Sequence, residues 1–358
     1  MIYYISVYTF FWLFSFVALD KAIDRSRFVY YFVFVFLVSF VGLRYGTVDY
    51  GNYVSWYNRV VSQPDLTTAM SESRDFGFAW LSWYVSRVGL NVEHLFFLVS
   101  FLAVGAKVYV YKKTSPLFVF AIFCYIALAG IHKDLGQIRN GFAAGFVLLG
   151  LYFLFSKRYV FWIALNYLAY SMHAIAAMSY FYAVARLLSS KVFLAGVVLT
   201  SFVVMAGLSG LGSIFAGYLE YSGFESRHVD RALRYYGREG SRSSVVSGMS
   251  LFVFFSAIVF VLLKDYICRV SRFNEIAVPV YVLTVALYLA LRDFSILSSR
   301  IYELTALPLS PVLWASVVYV FNGLRRVMVF FAVSFFVSLW FVAFIINQQP
   351  NYHLLFFS

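Results

Sequence analysis

Polar and apolar residues alternate along this chain in blocks, not at single positions. Apolar runs fall at about 3–19, 28–43, 76–90, 94–111, 116–131, 140–155, 159–172, 174–186, 192–216, 248–263, 275–291, 301–320 and 327–346. Blocks of this length and spacing predict helices packed as an all-α, polytopic transmembrane helical bundle of about 12 spans, because helices satisfy their own backbone groups in hydrocarbon. Several runs are short for a full crossing, since 16 helical residues rise about 24 Å against a hydrocarbon core of about 30 Å. Those runs either extend into flanking polar residues, thin the bilayer, or belong to short or re-entrant helices. No soluble domain or linker interrupts them, so residues 1–358 read as a single integral membrane domain. Two long polar segments stand out, at about 44–75 and 217–247.

Composition narrows the class. Hydrophobic residues make up 63% of the 358 and charged residues 12%, and the mean hydropathy is +0.81. Too few polar side chains exist to cover a water-soluble globule, and the chain is far too apolar for disorder. The net charge of +12 would suggest nucleic acid in a soluble protein; here it reads first as cytoplasmic anchoring, and nucleic acid is not an expected partner. The first run carries no basic residues ahead of it, so it reads as a retained span and not a cleaved leader. Cys124 and Cys268 lie far apart, one in an apolar run and one in a short basic loop, which implies no disulfide.

The basic connections carry Lys21, Arg25 and Arg27; Lys112 and Lys113; Lys157 and Arg158; Lys264, Arg269 and Arg272; Arg325 and Arg326. If these face the cytoplasm, both long polar segments face outward. That arrangement works if 159–172 and 174–186 each cross and if 76–111 crosses once or three times, so 76–90, which holds Arg87, is read as a short or re-entrant helix.

Four outward clusters could carry chemistry. In Arg44 to Tyr53, a guanidinium at the interface can pair with phosphate, and Asp49 can act as base or as its ion partner; a snorkelling arginine and a turn aspartate fit the same spacing. In His132 to Gly141, Arg139 opens a helix whose own dipole does not favour a cation. A phosphate, or Asp134 as a local partner, would complete it. In 217–247, Arg227, Arg231, Arg234 and Arg238 fall on one helical stripe about 60° wide, suited to a diphosphate or to lipid headgroups. Tyr235 and Tyr236 lie beside it. In the last, Arg300 and Glu303 stand one turn apart ahead of Pro308 and Pro311, which can kink the helix. His173, between two apolar runs, is an ionisable group in membrane-embedded sequence and so a functional candidate; a neutral histidine at a helix break is the alternative. The five histidines show no zinc-ligand spacing, so no metal and no cofactor is expected.

These residues also form an ordered set. Gly42-Leu43-Arg44-Tyr45-Gly46-Thr47-Val48-Asp49-Tyr50 with Tyr53, Asp75-Phe76-Gly77-Phe78 with Leu81, Gln137-Ile138-Arg139-Asn140-Gly141-Phe142-Ala143, Met172-His173-Ala174 and Arg300-Ile301-Tyr302 together resemble the EpsG-like, Wzy-type bacterial polysaccharide polymerases. The chain departs from that pattern at Val48, inserted within the first motif, at Phe76, where a proline is common, and at Ile175, where a serine is common.

The resemblance implies a glycosyltransferase similar in build to the GT-C-type enzymes that use polyprenyl-linked donors. Its reaction would move the growing glycan from undecaprenyl diphosphate to the incoming lipid-linked repeat unit, on the outer face of the bacterial cytoplasmic membrane. Donor and acceptor lipids, membrane lipids and a chain-length regulator are the implied partners. Under this reading Arg44, Arg139, Arg300, Arg227, Arg231, Arg234 and Arg238 bind diphosphate, and Tyr50, Tyr53, Tyr235 and Tyr236 contact sugar. His173, Asp49, Glu303 and Asp75 are the candidates to assist the acceptor hydroxyl. A ligase using the same donor, or a flippase for lipid-linked glycan, fits much of the same sequence.

Overall fold

The structure, a computed structural model, describes residues 2–47, 49–71, 73, 75–128, 130–185, 187–207, 248–291, 295–348 and 353–354. The chain begins with α1 (Ile2–Val17), α2 (Lys21–Arg25) and α3 (Arg27–Gly42), followed by the short strand β1 (Arg44–Tyr45). The first polar segment folds into α4 (Tyr50–Val61) and α5 (Leu66–Ser71). Next come α6 (Phe76–Arg87), α7 (Val92–Thr114), α8 (Phe118–Ala127), α9 (Gly130–Gly136), α10 (Ile138–Phe155) and α11 (Tyr159–Met172). A 3₁₀ helix, Ala174–Phe181, leads into α12 (Tyr182–Ala185) and α13 (Lys191–Gly207). After the second polar segment follow α14 (Gly248–Leu262), α15 (Lys264–Val270), α16 (Asn274–Ala290), α17 (Ser295–Leu304), α18 (Ala306–Val320), α19 (Gly323–Gln348) and β2 (His353–Leu354).

The fold is helical, as the block pattern predicts, with one amendment: β1 and β2 pair antiparallel, Arg44 opposite Leu354 and Tyr45 opposite His353. Among the described residues, α7, α10 and α19 are long and apolar enough to cross a membrane, and the bent pairs α14–α15 and α17–α18 bring the total to five if each is one span. The other apolar helices run 10–17 residues. The α17–α18 pair bends by 46° at Thr305, between Leu304 and Pro308. That is where the Pro308 ring would meet the carbonyl four residues back.

The basic connections gather at one end. Asp24 accepts hydrogen bonds from the backbone N–H groups of Phe118 and Val119, at 3.0 and 2.9 Å, while Lys112 donates to the Asp24 carbonyl. Ser271 donates to the carbonyl of Thr114, Lys191 pairs with Asp265 at 3.3 Å, and Lys21 and Arg326 both lie against the Tyr319 ring. The opposite end carries the start of α7, the start of α10 and the first polar segment. Asp75, at the head of α6, pairs with Arg139. At its tail, the Leu90 carbonyl accepts from the Tyr57 hydroxyl, close to where Tyr50 donates to Glu93. Both ends of α6, a helix of 12 residues, therefore contact elements of this end.

Two sequence expectations change. The run 116–131 holds only the ten-residue α8 followed by α9, and every residue of α8 is buried, so protein and not lipid surrounds it. The run 174–186 opens as a 3₁₀ helix of eight residues, extending about 16 Å at 2.0 Å per residue. The first polar segment is not an open loop: α4 and α6 lie against one another, with Trp56 over Phe78 at 4.9 Å between ring centroids.

Small residues allow the long helices to approach closely. A Cβ built on Gly145 of α10 would lie 2.6 Å from the backbone oxygen of Ala103 in α7, and neither backbone can yield without separating the two helices. Gly145→Val is expected to lower the melting temperature in detergent and reduce the yield of monodisperse protein, since overpacking costs roughly 1–3 kcal/mol.

Candidate functional site

At the end opposite the basic connections, a cleft of about 360 Å³ is lined by Asp49, Asn52, Tyr53, Ser55, Trp56, Arg59, Gln137, Arg139, Asn140, His173 and Arg300. Four separated stretches of sequence build it. Gly46, in the left-handed region at φ 66°, turns the chain out of β1, and Thr47 then donates to the Leu135 carbonyl, fixing the start of α4 beside α9. Along α4, Asn52, Ser55 and Arg59 recur at helical spacing and face the cleft. Arg139 enters from the first turn of α10. His173 stands where α11 ends, with extended backbone at φ −156° and ψ 112°, and the 3₁₀ helix leaves from it. Arg300 comes from α17.

Three ion pairs on two carboxylates back this cleft. Arg139 pairs with Asp75, and its guanidinium lies 5.7 Å from the centre of the Tyr53 ring. Glu303, 7% exposed, accepts from Arg300 at 3.0 Å and from Asn140 at 2.9 Å, and it pairs with Lys133 at 2.7 Å. Arg300 also donates to Gln137. The carboxylates thus stand behind the arginines and hold them, while Asp49 and His173 line the cleft itself. Arg59 differs: it is exposed, and its guanidinium makes no hydrogen bond or ion pair among the described residues.

The structure brings Asp49, Tyr53, Arg139, His173 and Arg300 together in one cleft, with Asp75 and Glu303 directly behind it. Arg44 is placed elsewhere. It is 1% exposed, donates to the carbonyl of Asp134 at 2.7 Å, and lies 4.9 Å from the Phe96 ring centre. Its cation is turned inward to hold α9. Tyr50 does not line the cleft; its hydroxyl donates to Glu93 at 3.1 Å. Burial, with the Glu93 carboxylate adding to it, pushes that phenol up to about 12, so it stays a donor at physiological pH. Asp134, a candidate partner for Arg139, instead pairs with Lys107. Arg227, Arg231, Arg234, Arg238, Tyr235 and Tyr236 lie outside the described residues.

Arg59, Trp56 and Asn52 escape a reading that treats residues 44–75 as one polar segment. The signal is present as a helical period: Tyr50, Tyr53, Tyr57 and Val60 pack inward while Asn52, Ser55 and Arg59 recur on the polar face.

Comparison with known proteins bears on what such a cleft serves. The model of the EpsG family matches residues 27–357. The chain belongs to the EpsG family. The match spans every cleft residue and every stretch on which the sequence resemblance rested. A curated relative is the amylovoran biosynthesis protein AmsC of Erwinia amylovora, 25% identical over 319 residues, covering 86% of this chain and 82% of the relative. No solved structure matches the chain.

Proposed function

We propose that this EpsG-family chain is a membrane polysaccharide polymerase and that the cleft is its transfer site. One observation carries the reading: Arg59, Arg139 and Arg300 converge from three separate helices on a single cleft that also presents His173 and Asp49. Family membership and the relative named for amylovoran biosynthesis support an exopolysaccharide or O-antigen product. The donor is a glycan on undecaprenyl diphosphate, and the acceptor is the next lipid-linked repeat unit. The basic connections at the opposite end support a cleft that opens on the outer face of the cytoplasmic membrane. A chain-length regulator is a further partner under this reading.

The chemistry follows from charge. An acceptor hydroxyl attacks the anomeric carbon of the donor, the bond from that carbon to the diphosphate oxygen breaks, and the hydroxyl proton leaves to a base. Negative charge grows on the departing diphosphate, so fixed guanidinium groups stabilise the transition state more than the ground state. Asp49 and His173 line the cleft and are placed to take the proton. Asp75 and Glu303 are each held by cations and serve better to aim the arginines.

The decisive experiment is the surface-glycan ladder of cells lacking the gene. Single-repeat glycan without the gene, and a full ladder with wild type restored, support polymerisation. Accumulation of long lipid-linked glycan would shift the reading to a ligase, and lipid-linked units retained inside would shift it to a flippase.

Arg59 gives a separate prediction. A guanidinium held by no carboxylate among the described residues can meet an incoming anion without first giving up one of them as a partner. Arg59→Ala is expected to raise KM for the lipid-linked substrate roughly tenfold, about 1.4 kcal/mol, with kcat changed little. Arg59→Lys should recover much of the loss, and steady-state kinetics on purified protein would check both.

A further inference from the structure

Directly behind the cleft lies a second polar layer, and it is buried. Lys107, two-thirds of the way along α7, and Asp134 of α9 are each 3% exposed and form an ion pair. Tyr125 of α8 donates its hydroxyl to the other Asp134 oxygen, and Lys107 donates to the Gly141 carbonyl at 3.1 Å. Arg44 donates to the Asp134 carbonyl from a third direction. The fit is close: a Cβ on Gly141 would collide with the Asp134 carboxylate.

The two layers are joined by peptide bonds. Asp134 in the inner layer follows Lys133, which pairs with Glu303 in the outer layer. Gly141 in the inner layer follows Asn140, which donates to Glu303. Neighbouring residues on a helix point in different directions, so the inner contacts fix the helices without touching what the outer residues hold. An ion pair in membrane-embedded sequence is costly and needs a reason. Apolar residues of similar size would often serve stability as well.

We propose that Lys107 and Asp134 are positioning residues of the cleft: their ion pair fixes α9 and α10 so that Asn140 and Arg139 stand where the diphosphate is held, with Lys133 on Glu303 behind them. The proposal rests on the assignment of the cleft as the transfer site. Neither residue reaches the substrate. Their effect is on the orbital and charge alignment at the reacting centre, where a displacement of about 1 Å can cost on the order of 100-fold in rate.

The test uses the full-length protein in lipid nanodiscs with a lipid-linked repeat unit, and follows kcat, KM and the melting temperature. Lys107→Met/Asp134→Leu removes both charges together, and Tyr125→Phe removes one hydrogen bond and no charge. The expected result is a fall in kcat of about 100-fold for the double variant and about tenfold for Tyr125→Phe, with KM within about threefold of wild type and melting temperatures near wild type. Wild-type kcat in either folded variant would overturn the proposal. If the double variant does not fold, Tyr125→Phe decides alone: unchanged kcat overturns the proposal, and a reduced kcat at wild-type melting temperature supports it. Arg139→Ala, run alongside, separates the two claims, because full activity in that variant overturns the cleft assignment itself.

Discussion

Arg139→Ala is expected to abolish glycan extension, with a fall in kcat/KM of at least about 100- to 1000-fold, the range for removing a fixed donor aimed at developing charge. The guanidinium has two roles, and they can be separated. It faces the cleft, and it neutralises Asp75, a carboxylate that is 6% exposed. Truncation therefore also takes away the cation paired with a buried carboxylate, at a cost of roughly 3–5 kcal/mol to the fold. Asp75→Asn in the same chain removes that charge, so Arg139→Ala/Asp75→Asn should recover stability over the single variant. It should not recover activity. Recovery of both by the double variant would reduce Arg139 to a structural partner of Asp75. Arg139→Lys is expected to fold but to extend glycan poorly, since an ammonium cannot reproduce a planar fork that engages a carboxylate and a phosphate together. In vitro extension of a lipid-linked repeat, with a melting curve for each variant, checks all three.

The sequence carried the local half of this site and little of the long-range half. Arg300 and Glu303 lie one helical turn apart, and that spacing alone predicts their pair, which forms at 3.0 Å. The Lys133 contact that completes it does not follow from spacing. Arg139 illustrates the failure more sharply. Its nearest carboxylate in sequence is Asp134, yet its partner is Asp75, 64 residues away. Asp134 is drawn instead to Lys107, 27 residues distant, in the interior of the bundle.

Arg44 misleads for a related reason. An arginine just after an apolar run reads as interfacial, but β1 turns it inward, where a carbonyl and an aromatic face take the charge. Apolar runs also hide what surrounds them. Residues 116–131 read as a span, whereas α8 is a short helix enclosed by protein on all sides; hydropathy reports that a segment avoids water and not whether lipid or protein covers it. The helical class was legible, because block length follows directly from the bilayer.

Glu303 separates orientation from stability at the cleft. Its carboxylate receives Lys133, Arg300 and Asn140, so Glu303→Ala releases two cations and an amide at once. The two cations, at 26% and 27% side-chain exposure, can reach water. The fold should lose only about 1 kcal/mol from such partly solvated pairs, against the several expected when the Arg139–Asp75 pair is broken at Arg139. Activity should behave oppositely: with Arg300 no longer aimed, kcat is expected to fall on the order of 100-fold. Glu303→Gln keeps the shape and an acceptor oxygen but not the charge, and should fall between wild type and alanine. The order wild type, Gln, Ala in kcat at nearly constant melting temperature is the outcome expected of a group that aims cations. A base that takes the acceptor proton would give a different order, with Gln as inactive as Ala, because an amide accepts no proton at neutral pH. The Gln variant thus decides between the two roles for Glu303, and the same substitution logic at His173 and Asp49 would identify which of those takes the proton.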